Sequence, residues 1–574
     1  MSDKFLRIIP LGGVGQIGKN MTLFEYDDQL LIVDCGLMFP ESDMLGIDIV
    51  IPDMNYVFER KDRVRAIIVT HGHEDHIGGL PYLVQALAQG GVAPPVHPPI
   101  YAARLTRGLI EVRLKEYHLL DDVDLHTVLP GDVLDLAPFT VEFFRVCHSI
   151  PDGLGLGITT PVGLAVHSGD FKFDQTPVDG RLTDFAKLAE LGGRGVLVLL
   201  SDSTNAETDG QTPSEQVVGE TLDRIFARAQ GRIIVATFAS NISRLQQVVV
   251  TARKNGRRVG IVGRSMISFA KAAAELGYLD LLPDDMLTPQ QMNELPPHKV
   301  AIACTGSQGE PTSALVRMAL GEHRQVNVRP GDHVIVSATP IPGNEELVNR
   351  TINNLFRAGA EVYHQERATT SMQVHVSGHA SREEQKLMLN LIRPRFFVPI
   401  HGEYRHLVLH ARMAEDVGVP RENIFIVESG HVLEFGPDWG RVNGQVSEGH
   451  VLVDGLGVGD VGNVVLRDRH LLSRDGFVVV VVAVDADTGE VLEGPDIITR
   501  GFVYIREAGD LIDDATRRVS EALQHGGPNG RTQVPLGHRP SAASLNAKIK
   551  DSLAEFFYER TKRRPMILPV VMEV

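Results

Sequence analysis

The six-residue segment His71–His76 (HGHEDH) contains three histidines and two acidic residues. Neutral imidazole and ionised carboxylate groups are the ligands that borderline divalent metals such as zinc and manganese prefer. The alternative is a polar surface loop that is rich in histidine for no chemical reason. That alternative is disfavoured because metal ligands cluster in sequence in this way. The segment therefore predicts a metal site.

The apolar run Val64–Thr70 directly precedes this segment and is predicted to form a buried strand. A tight turn after such a strand can point several side chains into one cleft. Further ligands should follow other strands, because layered α/β folds gather functional groups where strands end. Three residues meet this condition: His148 after Phe139–Val146, Asp170 after Leu164–His167, and His401 after Phe396–Ile400.

The composition indicates a soluble protein with more than one domain. The chain has 574 residues, and single cores stop growing near ~250–300 residues. A hydrophobic content of 43% with 22% charged residues is ordinary for globular proteins. The three cysteines are far apart, so no disulfide framework is implied and a reducing compartment fits. We expect a cytoplasmic protein, because no signal peptide is evident and the apolar run Phe477–Val484 is too short to span a bilayer.

The net charge of −17 argues weakly against a nonspecific polyanion binder. It does not exclude an enzyme that acts on nucleic acids, because bound metals carry positive charge that a whole-chain count omits. Charge alone therefore leaves a nucleic-acid substrate open.

The arrangement of apolar runs predicts an α/β protein with distinct segments. Short strands and glycine-rich turns fill the first part of the chain, and alternating strands and helices between Ser214 and Gly359 predict a parallel α/β unit. The segment Val451–Asp460 is predicted to be a linker. A small α+β domain should follow, with strands at Phe477–Val484 and Gly501–Ile505, a mobile loop at Gly526–Ser541 and a helix at Ala543–Arg560.

A glycine motif near the N-terminus matches the sequence pattern of a dinucleotide-binding site. Gly13–Gly18 matches G-x-G-x-x-G, and Asp34 lies where a ribose-binding acid would lie. That motif requires a helix that begins at its third glycine. The following residues Asn20–Tyr26 alternate like a strand, so no helix dipole would face a pyrophosphate. We reject a dinucleotide site and interpret the glycines as a connection between two strands.

The order of H-x-H-x-D-H, His, Asp and His resembles the metallo-β-lactamase superfamily, which implies an αββα sandwich. The resemblance also implies two divalent ions, Zn²⁺ or Mn²⁺, that share and activate a hydroxide. The nitrogen and oxygen ligands accept either metal, so the sequence leaves that choice open. By resemblance the ligands of the first ion are His71, His73 and His148, those of the second are Asp75, His76 and His401, and Asp170 bridges the two.

Asp170 and His401 lie 231 positions apart (401 − 170), which is room for an inserted α/β domain. This insertion resembles the β-CASP branch of the superfamily, whose members are nucleases. Asp202 and His379 match its first two motifs, and His401 its third. A histidine at the second motif is typical of members that act on RNA.

Catalytic roles follow for three residues by the same resemblance: Asp75, Asp202 and His379. Asp202 could accept a hydrogen bond from a metal-bound histidine and so fix its ring. His379 could donate to the scissile phosphate or protonate the leaving 3′ oxygen. The alternative for His379 is a loop histidine that caps a turn.

Several segments resemble the bacterial ribonuclease J family, and the resemblance covers essentially the whole chain. Gln16 departs from it, because we expect Glu there in many members, but it lies outside the ligand set. The segments are Leu11–Asn20, Thr237–Asn241, Thr305–Pro311 and Glu493–Phe502.

The family resemblance implies a function in RNA maturation and mRNA decay. Members cut single-stranded RNA internally and degrade it from the 5′ end, with a preference for a 5′ monophosphate. The implied partners are single-stranded RNA, a second copy in a homodimer or tetramer, and other RNA-decay proteins. The expected domains are a metallo-β-lactamase domain (1–210 and 361–450), a β-CASP domain (211–360), a linker (451–462) and a C-terminal α+β domain (463–574).

A 5′-phosphate pocket needs hydrogen-bond donors on tight loops, because backbone amides and hydroxyls in such loops suit a phosphate. Ordinary Gly/Ser turn chemistry is the alternative for each residue taken alone. The candidates are Ser240, Asn241, His375, Ser377, Gly378 and His379, with Ser307 as a further one.

Two other functions compete with a ribonuclease. A small-molecule ester or lactone hydrolase could use the same metal core, but the 231-residue insertion and His379 argue against it. A scaffold of an RNA-decay assembly would not need chemistry, and the complete ligand set argues against that. We therefore expect a two-metal ribonuclease.

Overall fold

The computed structural model describes residues 4–41, 43–89, 96–281, 286–365, 372–455, 457–486, 491–504, 508–524 and 542–574. The chain forms two compact units. The first comprises residues 1–39 and 49–451, and the second comprises residues 40–48 and 452–574.

Two facing sheets form the centre of the first unit. Phe24 and Ile68 of one sheet and Phe143 and Val198 of the other are fully buried in one apolar core. The eight-stranded sheet has the order Gly440–Gln445, His431–Phe435, Leu6–Gly12, Met21–Tyr26, Gln29–Val33, Val64–Val69, Ile100–Ala102, Leu125–Thr127. The six-stranded sheet has the order Phe396–Ile400, Val196–Asp202, Gly163–His167, Leu154–Thr160, Phe139–Arg145, Val133–Leu136.

Helices cover these sheets, which explains why strands such as Met21–Tyr26 are buried on both faces. Leu188, Met388 and Ala414, from three of these helices, pack in one core with the six-stranded sheet. The predicted αββα sandwich is confirmed. Its helical segments are Asn55–Phe58, Lys61–Arg63, Glu74–Ile77, Leu80–Gln89, Arg104–Glu116, Leu120–Asp122, Phe185–Arg194, Arg382–Ile392, Tyr404–Asp416 and Arg421–Asn423, and a further strand is Ile49–Pro52.

A five-stranded parallel sheet is inserted between the strands Val196–Asp202 and Phe396–Ile400, which confirms the predicted parallel α/β unit. Its strand order is Arg258–Val262, Val300–Cys304, Ile233–Ala236, His333–Val336, Glu361–Tyr363. Its helical segments are Gln216–Arg228, Ile242–Lys254, Arg264–Glu275, Pro289–Glu294, Pro297–Lys299, Ala314–Ala319 and Glu345–Arg357.

The glycine motif Gly13–Gly18 connects two antiparallel strands, Leu6–Gly12 and Met21–Tyr26. Gly13, Gly15 and Gly18 have φ values of 78°, 73° and 105°, which favour glycine over other residues. Val14–Gly15 pairs with Gly402–Glu403, so the motif reaches the segment after His401. The strand expected after the motif is confirmed, and it lies where a dinucleotide site needs a helix.

The second unit contains a three-stranded sheet with the order Val491–Arg500, Phe477–Val484, Met566–Glu573. Its helices are Asn463–Asp475, Gly509–Gln524 and Ala542–Thr561. Val478, Val480 and Val482 alternate toward a core with the helices, whereas Val479 and Val481 lie on the other face.

One prediction for the C-terminal region is wrong. The strand expected at Gly501–Ile505 lies at Val491–Arg500 and ends where Gly501 adopts a φ of 69°. The expected linker Val451–Asp460 contains the strand Gly457–Val458, which pairs with His450–Asp454. The expected mobile loop Gly526–Ser541 and Ile505 lie outside the described residues. No helix among the described residues is long and apolar enough to cross a membrane.

Candidate metal centre

The motif His71–His76 begins where the buried strand Val64–Val69 ends. The Thr70 amide between them donates to Asp34 Oδ1 at 2.8 Å, which anchors the start of the turn. Glu74–Ile77 then forms a single helical turn with His73 at its N-cap. The turn brings the three imidazoles onto one side, with adjacent ring centroids 4.0–4.7 Å apart.

Three imidazole nitrogens form the first donor group. His71 Nε2 and His148 Nε2 each lie 3.1 Å from His73 Nδ1. Tetrahedral metal–nitrogen bonds of about 2.0–2.1 Å separate their nitrogens by about 3.3 Å. The observed spacing therefore fits a divalent ion bound by all three rings.

The second donor group combines two histidines and two aspartates, whose donor atoms lie within 4.8 Å of one another. His76 Nε2 is 3.6 Å from Asp75 Oδ2, and His401 Nε2 is 3.3 Å from the same oxygen. The mixed nitrogen and oxygen set suits zinc and manganese alike.

Asp170 Oδ2 lies between the two groups. It is 3.2 Å from His76 Nε2 and 3.1 Å from His401 Nε2, and 3.7 Å and 3.9 Å from the corresponding nitrogens of His71 and His148. The Asp170 side chain is only 4% exposed. A carboxylate that faces both donor groups is what a bridging ligand requires.

The protonation states of the first donor group and of Asp170 suit the binding of a cation. Burial lowers the pKa of His71 and His148 well below the ordinary value and that of His73 to about 4, so these rings are neutral. Burial raises the pKa of Asp170, but His401, His76 and His71 outweigh it and hold that pKa well below the usual range. The Asp170 carboxylate is therefore ionised.

Burial also acts against protonation of His76 and His401, yet their pKa values are raised well above normal. The reason is the surrounding carboxylates, of which Asp170 acts most strongly on both rings. Carboxylates and imidazoles in this group thus need a shared positive charge, which either protons or a metal ion can supply.

Asp202 and His379 form a pair beside the second group. His379 Nδ1 lies 2.8 Å from Asp202 Oδ2 and 4.0 Å from Asp170 Oδ2. Burial raises the pKa of Asp202, and the charge of His379 outweighs it, so the net direction is downward. The His379 side chain is 19% exposed, more than Asp170 or Asp202, which leaves it open to a substrate.

Comparison with known proteins agrees with this geometry. The family "Metallo-beta-lactamase superfamily" matches residues 14–197, and "Zn-dependent metallo-hydrolase RNA specificity domain" matches residues 367–427. Two further families match residues 230–355, "Ribonuclease J, beta-CASP domain", and residues 464–574, "Ribonuclease J C-terminal domain".

Full-length relatives extend these matches. Ribonuclease J2 of Bacillus subtilis is 44% identical over 99% of both chains. Ribonuclease J 1 of Streptococcus pyogenes is 45% identical over 98% of this chain and 97% of its own, and ribonuclease J of Thermus thermophilus is 44% identical over 99% and 95%. The chain belongs to the ribonuclease J family. The resemblance predicted from the motifs is confirmed.

One solved structure, a protein of unknown function from Enterococcus faecalis, shares the fold. It aligns with a TM-score of 0.53 and 15% identity, and the alignment covers 75% of this chain and all of the other. At this identity the likeness shows the fold alone.

Two residues hold histidine rings in this ribonuclease J family chain, and the sequence analysis gave neither of them that role. Asp34 Oδ2 lies 2.8 Å from His76 Nδ1, although Asp34 was considered only as a ribose-binding acid. The available signal was its place at the end of Gln29–Val33, a parallel neighbour of the strand before the motif. His148 Nδ1 is held by the carbonyl of Gly378 at 2.8 Å.

The expected partner of Asp202 differs from the observed one. Asp202 was expected to orient a histidine of the metal group, but its short contact is to His379. Thr204 Oγ1 instead lies 2.8 Å from His401 Nδ1, whereas Asp202 Oδ1 is 3.9 Å away from that nitrogen. Asp202 and Thr204 lie two positions apart in the sequence, and only the backbone geometry decides which of their side chains reaches the His401 ring.

The residues predicted to hold a phosphate fall into two adjoining segments. Gly378 packs against His148 so closely that a Cβ at Gly378 would lie 2.6 Å from the ring. Arg244 donates to the Val374 carbonyl at 3.2 Å, next to His375, and so joins that segment to the helix Ile242–Lys254. Ser377 Oγ accepts from the His379 amide at 3.2 Å.

The other candidates lie at strand ends of the inserted domain. Asn241 caps the helix Ile242–Lys254, with its side chain accepting from the Arg244 amide at 2.9 Å, and Ser240 precedes it. Ser307 follows the neighbouring strand Val300–Cys304 and is buried.

We expect Asp34→Asn to weaken divalent-metal binding by about 10- to 100-fold, because it removes the charge that orients the His76 ring. Titration of the metal-free chain with Mn²⁺ measures the dissociation constant. Asp332→Asn is the matched control, since Asp332 is a buried acid that pairs with Arg232 in the inserted domain. The control should lower thermal stability and leave metal affinity unchanged. Unaltered affinity in Asp34→Asn would contradict the role of Asp34.

Proposed function

We propose that this chain is a metal-dependent ribonuclease that degrades single-stranded RNA from its 5′ end and also cuts it internally. The supporting observation is the convergence of seven donor side chains beside the Asp202–His379 pair. Membership of the ribonuclease J family gives the substrate class.

The seven donors divide into ligands for two ions, Zn²⁺ or Mn²⁺. Asp170 would be a ligand common to both ions, because its carboxylate faces both groups. Two divalent ions held there would supply an activated water nucleophile and stabilise negative charge on the phosphate. The first ion would be held by His71, His73 and His148, and the second by Asp75, His76 and His401.

Asp75 is the most exposed acid of the cluster, at 30% of its side chain. Burial raises its pKa, but His76 and His401 hold that pKa below the usual range, so the carboxylate is ionised. An ionised carboxylate at the open side of the site can accept a proton from the attacking water. We therefore assign Asp75 both a ligand role and a catalytic role.

His379 would protonate the leaving group. Its Nδ1 is engaged by Asp202, so Nε2 is the nitrogen that can donate to the leaving 3′ oxygen. The ionised Asp202 accepts a hydrogen bond from Nδ1 and fixes the orientation of the ring, as a carboxylate does for a catalytic histidine in general. The products would carry a 5′ phosphate and a 3′ hydroxyl.

The 5′ phosphate would bind where the segment His375–His379 meets the start of the helix Ile242–Lys254. Backbone amides at a helix N-terminus favour an anion, and Ser240 and Asn241 lie at that terminus. Ser377 and Gly378 lie beside His148, so a phosphate there would be next to the metal centre. We propose Ser240, Asn241, His375, Ser377, Gly378 and His379 as the pocket.

We propose a homodimer as the functional state, with further assembly to a tetramer and contacts to other RNA-decay proteins in the cytoplasm. The second unit supports a self-association surface, because one face of its sheet exposes apolar side chains. Leu568, Val570, Met572 and Ile498 are 42–50% exposed. Sedimentation of the full chain tests this proposal.

We also propose the domain limits that the sequence indicated: 1–210 and 361–450 for the metallo-β-lactamase domain, 211–360 for the β-CASP domain, 451–462 for a linker and 463–574 for the C-terminal domain. The strands of the inserted sheet lie between Ile233 and Tyr363, which supports a β-CASP domain close to residues 211–360. RNA maturation and mRNA decay are the processes that such an enzyme would serve.

Asp75→Ala and His76→Ala should abolish both cleavage modes, because each removes a ligand of the second ion. Degradation of 5′-monophosphate linear RNA reports the exonuclease, and cleavage of circular RNA reports the endonuclease, each with Zn²⁺ or Mn²⁺. Asp121→Ala, an exposed acid of the same domain, is the control and should remain active. RNA cleavage by either ligand variant in metal-replete buffer would overturn the mechanism. Ester hydrolysis without RNA cleavage by the unmodified chain would identify a small-molecule hydrolase instead.

His379→Asn should lower kcat by about 10²- to 10⁴-fold, the usual contribution of a positioned proton donor. Metal affinity should not change, since His379 is outside the ligand set. Asp202→Asn should act in the same direction, and the exposed His298→Asn should have no effect. Single-turnover cleavage of a short RNA measures the rate. An unchanged rate in His379→Asn would contradict its role as proton donor.

Ser377→Ala should reduce the preference for 5′-monophosphate over 5′-hydroxyl RNA by about tenfold, because a hydrogen bond to a charged group is lost. Cleavage of circular RNA should be unaffected, since that substrate has no 5′ end. Ser447→Ala removes an exposed hydroxyl of the same unit and serves as the control. An unchanged preference for the 5′ monophosphate would remove Ser377 from the pocket.

A further inference from the structure

The helix Arg104–Glu116 contacts both segments that carry the proposed ligands. Near its C-terminal end, Arg113 Nε donates to Glu74 Oε1 at 2.9 Å. Glu74 lies between the ligands His73 and Asp75 and received no role from the sequence. Near the start of the helix, the Leu105 amide donates to Asp152 Oδ2 at 3.4 Å, and Asp152 follows His148 by four positions.

Direct packing strengthens this connection. A Cβ placed on Gly72 would lie only 2.7 Å from Leu109 Cδ1 of the helix and 3.3 Å from Ile150 Cδ1. Gly72 is part of the metal motif, and Ile150 follows His148. The helix therefore presses directly on the motif, and any displacement of the helix must move the motif or open a gap.

The same helix also packs against the inserted domain. A Cβ on Gly108 would lie 2.5 Å from Leu276 Cδ1, which follows the helix Arg264–Glu275. The Arg113 guanidinium lies 5.7 Å from the centre of the Phe269 ring on that helix. The Tyr278 hydroxyl, two residues beyond Leu276, donates to Asp152.

Two chains of contact thus run from one part of the inserted domain to the two ligand segments. One chain is Phe269, Arg113 and Glu74, and it ends inside the metal motif. The other is Tyr278 and Asp152, and it ends four positions after His148 in the chain. Both chains use side chains that lie outside the ligand set, the Asp202–His379 pair and the proposed phosphate pocket.

We propose that Glu74, Asp152 and Tyr278 are positioning residues that make the geometry of the metal ligands depend on the inserted domain. The inference rests on the proposed metal site and adds a coupling that the site alone does not require. Because Tyr278 belongs to the inserted domain, a change there alters ligand placement without touching a ligand. Residues that hold the ligand side chains in place affect how tightly those side chains bind a metal ion.

The test compares Tyr278→Phe with the unmodified full chain. The substitution removes one hydroxyl and leaves the ring, so the fold should be kept. Co²⁺ is the probe, because its visible absorption reports both binding and ligand geometry. We expect the Co²⁺ dissociation constant to rise about two- to thirtyfold, the range for changes in a coupled network, together with an altered absorption spectrum.

Tyr363→Phe is the matched control. It also removes a tyrosine hydroxyl from the inserted domain, where Tyr363 contacts His333 at the edge of the five-stranded sheet. Its Co²⁺ affinity and spectrum should equal those of the unmodified chain. Equal effects of the two substitutions, or no effect of Tyr278→Phe, would overturn the coupling.

Glu74→Gln examines the other chain of contact, since it keeps the size of the side chain and removes its charge. We expect weaker Co²⁺ binding by about tenfold, the lower end of the effect of losing a support for a ligand. Normal binding by this variant would remove Glu74 from the proposal. A chain that binds no Co²⁺ even without substitution would overturn the proposed function itself, which separates the two failures.

Discussion

The buried carboxylate of Asp170 is the constraint around which the first unit is organised. An ionised carboxylate that is 4% exposed is costly unless several partners surround it. Its partners come from three different strand ends, so those ends must meet at one point. The two central sheets satisfy this requirement, because the motif follows one sheet while His148 and His401 follow strands of the other.

The insertion of a whole domain before His401 has a simple geometric basis. Val196–Asp202 and Phe396–Ile400 are parallel neighbours, and Asp202 is in register with Ile400. The chain therefore leaves the sheet beside the point at which it returns. A domain inserted there begins and ends at the metal centre, so its size can vary without disturbing the sheet register. This arrangement also explains why His379, which lies 177 positions beyond Asp202, can pair with it at 2.8 Å.

The sequence predicted which seven side chains come together, because residue chemistry and strand ends both leave clear signals. It also predicted the parallel order of the inserted domain, whose strands and helices alternate regularly. It could not show that Thr204 rather than Asp202 reaches His401. The two residues are close in sequence, and the directions of their side chains depend on the backbone conformation. Asp34 was missed because it follows a different strand. It lies 42 positions before His76 in the sequence, although the two side chains are adjacent in the fold. The strand Val491–Arg500 was misplaced because its solvent-exposed residues, such as Leu492 at 58%, give no alternating pattern.

The charge of the chain gives an independent argument for metal at this site. A net charge of −17 repels a polyanion such as RNA, and the donor set holds two of the carboxylates already counted, Asp75 and Asp170, with five imidazoles. With five neutral imidazoles the donor set carries a charge of −2, and protons on His76 and His401, whose pKa values are raised, would bring it only to zero. Two divalent ions, as proposed above, would bring the set with neutral imidazoles to +2, which would attract the scissile phosphate. An acidic protein could thus bind RNA at one place, because the proposed ions would both supply the chemistry of hydrolysis and attract the phosphate to it.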